Sequence, residues 1–276
     1  MRVGATFTAN IILASTDSTN MREFILAEQT HDFIREQPWQ AAVLPFGATE
    51  PHNLHMPYGT DTFQVEELGR RACAKAWQQG ARVVLLPAVP FGVNTNHLKV
   101  PGALACSLLP TTLLAIISDL AESLSLQGVK KLVLLNGHGG NELKPLMRQL
   151  HHRSDVFICL CDWYRMAADL YPGIFEKPGE HADEVETSLG LAFFPQLLKP
   201  ELADDGAARP SRFEAINRGW VSITRPWHLV SVNTGLGDPR AATAEKGERL
   251  MEALTERLGS FLAELAMAER DERFPY

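Results

Sequence analysis

Val43-Leu44-Pro45-Phe46-Gly47-Ala48-Thr49-Glu50-Pro51-His52-Asn53-Leu54-His55-Met56-Pro57-Tyr58-Gly59-Thr60-Asp61 is the stretch that decides the fold. An apolar run from Ala41 to Pro45 leads into a turn, which then delivers a carboxylate, two imidazoles and a second carboxylate. Behind it, Phe63 to Gln79 has helical spacing and stops at Gly80, a natural C-terminal cap. Strand, polar loop and helix in that order are the repeating unit of an α/β protein. Glu50 and His52 are two apart, so an extended backbone sends both side chains to one face. A carboxylate and an imidazole converging at a strand end suit Zn²⁺, Mn²⁺ or Fe²⁺. Any one of these residues alone reads as an exposed loop residue; the set reads as a site.

The unit recurs along the chain. Arg82 to Pro87 is apolar and β-branched and gives way to the loop Phe91 to His97. Leu109 to Leu126 is a helical segment closed by Gly128, Lys131 to Leu135 a buried strand, Glu142 to His152 its helix, and Val156 to Cys161 a further strand. Beyond Pro195 the pattern loosens through Asp204-Asp205-Gly206 and resumes as a helix from about Ala241 to Met267. Alternation of this kind predicts a mainly parallel sheet, with the polar residues gathered on the rim at the carboxyl ends of the strands.

At 276 residues, with 45% hydrophobic and 21% charged residues, the chain can bury a full core as one domain, placed at 21–276. Residues 1–20 lack helical periodicity and are predicted to be a loose extension; their apolar core is broken at Asn10 without a convincing cleavage site. A net charge of -7 argues against a nucleic-acid binder, which needs a basic face. No stretch has the length of a membrane span. Four scattered cysteines (Cys73, Cys106, Cys159 and Cys161) make no disulfide framework, which fits a reducing cytoplasm.

Two more motifs carry chemistry. Asn136-Gly137-His138-Gly139-Gly140-Asn141 sits where a buried strand passes into a helix, and its glycines suit a sharp turn and a close backbone approach to a ligand. A tight turn with an incidental histidine, or a cradle for an anion at a helix N-terminus, are its other readings. The sequence is neither GxGxxG nor a P-loop. In Gly179-Glu180-His181-Ala182-Asp183-Glu184-Val185-Glu186-Thr187-Ser188, Asp183 with Glu186 three residues on resembles a capping box. Capping explains Asp183 and Glu184 but not His181, and Glu186 suits either role.

These three motifs, in this order, resemble those of the creatininase (creatinine amidohydrolase) family. That family carries G-S-T-E-x-H-G-x-H-L-P with an aspartate shortly after, then N-G-H-G-G-N, then H-A-x-x-x-E-T-S. Phe91-Gly92-Val93 with His97, Pro101-Gly102, and Gly237-Asp238-Pro239-Arg240 with Ala244 to Gly247 are similar to its remaining conserved loops. The resemblance implies a three-layer α/β/α fold and a centre of two divalent ions (Zn, Mn or Fe). Glu50, His52, Asp61 and His138 would be its ligands, with Asp61 bridging, and Glu186 a further ligand. Some members place a glutamate where this chain has Gly140, so the second ion must find its ligand elsewhere. Asn53 stands in place of the usual glycine after His52. Trp163 is the nearest counterpart of the tryptophans that close over creatinine.

The expected function is that of a cytoplasmic metal-dependent hydrolase acting on an amide or cyclic amide C–N bond of a small molecule through a metal-activated hydroxide. His181 would donate a proton to the departing nitrogen, and Glu180 would orient it or bind substrate. C–C bond hydrolysis or peptide cleavage on the same two-ion site is the nearest rival. A non-catalytic protein holding an anion over the glycine-rich turn is the rival from another class. The resemblance also implies a homohexamer.

Overall fold

The computed structural model describes residues 22–276; the extension predicted over residues 1–20 lies outside them. The elements in chain order are α1 (His31–Arg35), β1 (Ala41–Phe46), α2 (Thr60–Gln78), β2 (Val83–Leu85), α3 (Pro110–Leu126), β3 (Lys131–Asn136), α4 (Leu143–Leu150), β4 (Phe157–Asp162), α5 (Trp163–Met166), α6 (Tyr171–Ile174), α7 (Glu184–Phe193), α8 (Glu214–Asn217), α9 (Trp227–Val230) and α10 (Ala244–Met267). The four strands form one parallel sheet in the order β2-β1-β3-β4. Among the described residues no helix is long and apolar enough to cross a membrane.

Alternation along the strands builds three layers. Ala41, Val43, Val133 and Leu135 face the side covered by α2, α7 and α10. Ala42, Leu44, Phe46, Leu132 and Leu134 face the side covered by α3 and α4, through Leu113, Ile117, Leu143 and Leu146. A sheet covered on both faces needs continuous apolar strands rather than alternating ones, and β1 and β3 are buried at every position. From β1 the chain crosses to β2 on one side, then returns to place β3 on the other. Strand order therefore reverses between β1 and β3, which opens a crevice at their carboxyl ends.

The boundaries of α2 and β2 are among those that differ from the sequence expectation. Helix α2 begins at Thr60 rather than Phe63, so Asp61 lies in its first helical turn, where the helix dipole favours a negative charge. Strand β2 keeps only three residues of the predicted run: it pairs with β1 on one edge and meets a single bridge, Leu85 to Ile25, on the other. The loosened region is an excursion with a closed base: Gly237 donates its N–H to Gly206 O at 3.1 Å. Gly206 has φ +55, and a Cβ there would collide with the Gly237 backbone.

Glu184 anchors the start of α7. Its carboxylate, fully buried, accepts N–H groups from Glu176 (3.0 Å) and Lys177 (2.6 Å) and the Lys246 ammonium (2.6 Å). Glu184→Ala strands those donors and is expected to cost about 3 kcal/mol, as removal of one partner from a buried pair does. Chemical denaturation checks this; a loss below about 1 kcal/mol, the value of an exposed pair, would contradict it.

Candidate metal centre

The crevice between β1 and β3 holds the predicted cluster. Glu50 and His52 follow β1, Asp61 opens α2, His138 follows β3, His181 precedes α7 and Glu186 lies in its first turn. All except Glu186 are buried, and Glu186 keeps 14% of its side chain exposed. Glu50, Asp61 and His138 form one group whose ligand atoms lie within 4.8 Å of one another; His52, Asp61 and Glu186 form a second; Glu50, His52 and His181 form a third.

Asp61 faces two ways. Its Oδ2 is 3.3 Å from His138 Nδ1, and its Oδ1 is 3.2 Å from His52 Nε2. His138 Nδ1 is also 3.3 Å from Glu50 Oε1, and His52 Nε2 is 3.9 Å from Glu186 Oε2. Glu50 Oε2 and Asp61 Oδ2 are buried with no hydrogen-bond partner. Carboxylate oxygens orphaned in this way, surrounded by imidazole nitrogens, fit divalent cations.

Each of three imidazoles is fixed through its far nitrogen to a backbone carbonyl. His52 Nδ1 donates to Glu50 O (3.0 Å), His138 Nε2 to Val93 O (3.3 Å) and His181 Nε2 to Pro51 O (2.9 Å). A carbonyl only accepts, so these nitrogens carry hydrogen and the opposite ones are left to face the carboxylates. Metal-binding histidines are oriented by such partners. His55, the other imidazole of the first motif, turns away and pairs through Nε2 with Thr187 Oγ1 at 2.9 Å.

Charge follows this geometry. Burial works against the Glu50 carboxylate, yet His138, His97 and His181 bring its pKa down to about 2. Asp61 likewise lies below the usual carboxylate range despite burial, held by His52 and His138. Burial disfavours charge on His52 and His138, but Asp61 outweighs it at the first and Glu50 with Asp61 at the second, raising them to about 10 and about 9. Burial and the neighbouring His52 push His181 down to about 3. Burial pushes Glu186 up to about 8. Two carboxylate charges are thus matched by protons on His52 and His138, and a divalent cation binding the same nitrogens displaces those protons.

Local backbone explains several residue choices. Asn53 has φ 52 and Ala182 φ 49, so the residues after His52 and His181 are both left-handed. Glycine suits that region, and asparagine is the usual second choice. Asn53 also donates its side-chain amide to Asp204 Oδ1 at 2.7 Å. Asp183 caps α7 by accepting the Glu186 N–H at 3.0 Å, as expected. The reciprocal arm differs: Glu186 Oε2 accepts from Ala182 N at 2.6 Å, so Glu186 serves the turn and the cluster together.

Two side chains lie elsewhere than their expected roles suggest. Glu180 is largely exposed and pairs with Arg225 at 2.8 Å, outside the cluster. Trp163 is buried in the core under α10, which excludes it from closing over a substrate. The aromatic ring at the cluster is Trp227, 4.8 Å from His181 and stacked on His97. Trp227 gave no signal, because it lies in the aperiodic excursion. His97 stood in a quoted loop, but nothing local distinguished it from an exposed histidine.

The creatinine amidohydrolase model of the creatininase family matches residues 27–262. The chain belongs to the creatininase family. It is 29% identical over 258 residues to the 3-dehydro-scyllo-inosose hydrolase of Thermotoga maritima, covering 84% of this chain and 78% of that protein. It is 27% identical to the mycofactocin precursor peptide peptidase of Mycobacterium tuberculosis over 226 residues, 78% of this chain and 81% of that one. A solved structure from Bacteroides fragilis, a provisional creatinine amidohydrolase, is 33% identical, covers 92% of this chain and 100% of its own, and superposes with a TM-score of 0.85. Manganese creatininase shares the fold at 22% identity and a TM-score of 0.71, covering 89% of this chain and 99% of its own. The chain is therefore a hydrolase of the creatininase family with its parallel-sheet fold.

Gly140 does not simply lack the glutamate that some creatininase-family members have. A Cβ at Gly140 would stand 2.5 Å from Val93 O and 2.5 Å from His138 Nε2. None of the three turn glycines has positive φ, so what Gly140 and Gly137 provide is close approach rather than a sharp turn. Gly140→Glu is accordingly expected to lower metal content, because it displaces the carbonyl that orients His138. Metal content above that of the parent protein would show that the Gly140 position can supply the ligand.

Proposed function

We propose that the chain is a two-ion hydrolase that cleaves an amide or cyclic amide C–N bond of a small molecule. The reading is carried by Asp61, whose two oxygens face separate groups: Glu50 and His138 on one side, His52 and Glu186 on the other. These five residues would hold two divalent ions, with zinc, manganese or iron as the candidates. Their oxygen and nitrogen donors suit all three metals. Such ions acidify a water molecule toward neutrality and polarise a carbonyl.

His181 would carry the proton. With Nε2 donating to Pro51 O, its Nδ1 lone pair stands 3.7 Å from Glu50 Oε1 and is open to the cleft. Nδ1 accepts the proton that water loses as the C–O bond forms, then delivers it to the nitrogen as the C–N bond breaks. Accepting comes first, which refines the donor role expected from sequence and agrees with an imidazole that burial keeps neutral. Glu180 would act at one remove, through Arg225, on the aromatic wall made by Trp227.

C–C hydrolysis or peptide cleavage is the second reading, favoured by the likeness to an inosose hydrolase and a precursor peptide peptidase. We also retain the cytoplasmic homohexamer as part of the proposal, on the family likeness. The deciding experiment combines metal analysis of the purified protein with turnover of cyclic amides, cyclic ketones and short peptides. Up to two ions per chain and turnover confined to the amides are expected. Turnover of only the ketones or only the peptides would replace the first reading by the second, and a protein unable to take up any divalent ion would end both.

A further inference from the structure

A further buried imidazole stands beside the cluster. His97 belongs to none of the three ligand groups, is 1% exposed, and places Nδ1 3.0 Å from Glu50 Oε2. Neither that oxygen nor either ring nitrogen of His97 completes a hydrogen bond. Glu50 Oε1 is the oxygen that faces His138 and His181, at 3.3 and 3.7 Å. The carboxylate is thus divided, with one oxygen toward the cluster and the other toward His97. Leaving a buried polar atom unpaired is costly, and these two atoms face each other at 3.0 Å. The oxygen can only accept, so Nδ1 is the nitrogen that carries hydrogen toward it.

The loop bearing His97 is sewn to the loop bearing Glu50. His97 ends a single 3-10 turn, Thr95–His97, and its N–H donates to Asn94 O at 3.0 Å. Asn94 is fully buried and donates its side-chain amide to Thr49 O at 2.9 Å, one residue before Glu50. Thr49 in turn donates Oγ1 to Pro90 O at 2.8 Å. From the opposite direction Trp227 lies nearly parallel to the His97 ring, with centroids 4.8 Å apart and planes 16° apart. The Arg225 guanidinium covers the indole at 5.6 Å and is itself held by Glu180. Backbone ties set where the imidazole stands, and the stacked indole sets the plane of its ring.

We propose that His97 is a positioning residue for the metal centre: it holds Glu50 Oε2 so that Oε1 alone faces the cluster, and Trp227 holds His97. This inference rests on the two-ion reading. Outer partners that fix a ligand's orientation are worth roughly 10–100-fold in metal affinity, and that is the effect assigned to His97.

Two substitutions separate hydrogen bonding from packing. His97→Asn puts an amide N–H where Nδ1 stood but gives up the stack; His97→Phe keeps the ring and the stack but has no donor. Affinity for Mn²⁺ alone is measured on the purified full chain by competition with a chelator. His97→Phe is expected to bind roughly 10–100-fold more weakly than the parent, and His97→Asn to stay nearer the parent than His97→Phe. His97→Phe binding like the parent, or both variants losing equally, would overturn the proposal. If His97→Phe does not fold, His97→Gln takes its place, since its amide reaches toward Nε2 rather than Nδ1; weakened binding supports the proposal and parent-like binding overturns it. A parent chain that takes up no Mn²⁺ overturns the two-ion reading and this inference together, and is told apart because it fails before any variant is compared.

Discussion

Asp61→Asn is expected to lose both ions, whereas His52→Ala keeps one. The aspartate is the only side chain shared by the Glu50–His138 group and the His52–Glu186 group. Replacing one of its oxygens by an amide removes a ligand from one ion and the formal charge from both. A donor NH₂ would then face imidazole nitrogens at the 3.2–3.3 Å now spanned by Oδ1 and Oδ2. His52→Ala leaves Glu50, Asp61 and His138 in place, which is one complete group. Metal per chain, read by elemental analysis of variants purified side by side, checks the order. Turnover of Asp61→Asn should fall beyond the roughly 10–100-fold that losing an outer partner costs, since here a ligand itself is lost. If His52→Ala retained less metal than Asp61→Asn, the bridge would have to be placed elsewhere.

His181→Ala has the second largest expected effect, and its outcome distinguishes proton transfer from ligation. Five ligands remain, so metal content is expected to hold while turnover drops by roughly 10²–10⁴-fold, the worth of a positioned acid–base group. The loss should shrink for substrates whose departing nitrogen needs little protonation. Because His181 Nδ1 also lies within reach of Glu50 and His52, a joint loss of metal and turnover is the contrary result. It would make His181 a ligand and leave the proton without a carrier. A purely structural histidine would instead lower the melting temperature and spare turnover.

Much of this site was legible in the sequence because its ligands sit at strand ends. The runs Ala41–Pro45 and Lys131–Leu135 mark buried parallel strands, and in an open sheet whatever follows such strands shares a rim. That is enough to bring Glu50 and His52 toward His138. Asp61 stood in the same stretch as Glu50 and His52; resemblance to the family then supplied its bridging role and Glu186, which no local pattern ties to the same crevice. The order β2-β1-β3-β4 was not legible, since each crossover carries a helix of unremarkable length whichever side it takes. The start of α2 was missed for a related reason: Thr60, Asp61 and Thr62 are buried polar residues, which apolar periodicity cannot count. His97 and Trp227 reach the cluster by tertiary contact alone. The stacking of two rings 130 positions apart leaves no periodic trace.

The closure of Gly206 on Gly237 has a bearing on how one framework could come to serve unlike substrates. The entropy of closing a loop rises only slowly, by about 0.6 kcal/mol for each doubling of its length. With its two ends clasped at 3.1 Å, the largely exposed part of the excursion, residues 212–224, can be lengthened, shortened or rewritten at little thermodynamic cost to the sheet beneath. The rest of it meets the cleft, where Trp227 stacks on His97, Thr234 accepts the Asn53 N–H at 3.1 Å and Leu236 pairs with the His181 backbone, whereas Glu50, His52, Asp61, His138 and Glu186 all lie on the chain before the clasp. The exposed stretch can therefore change in length and sequence while the residues that steady the ligand loops stay fixed, so descent with modification has room there without touching the candidate ligands.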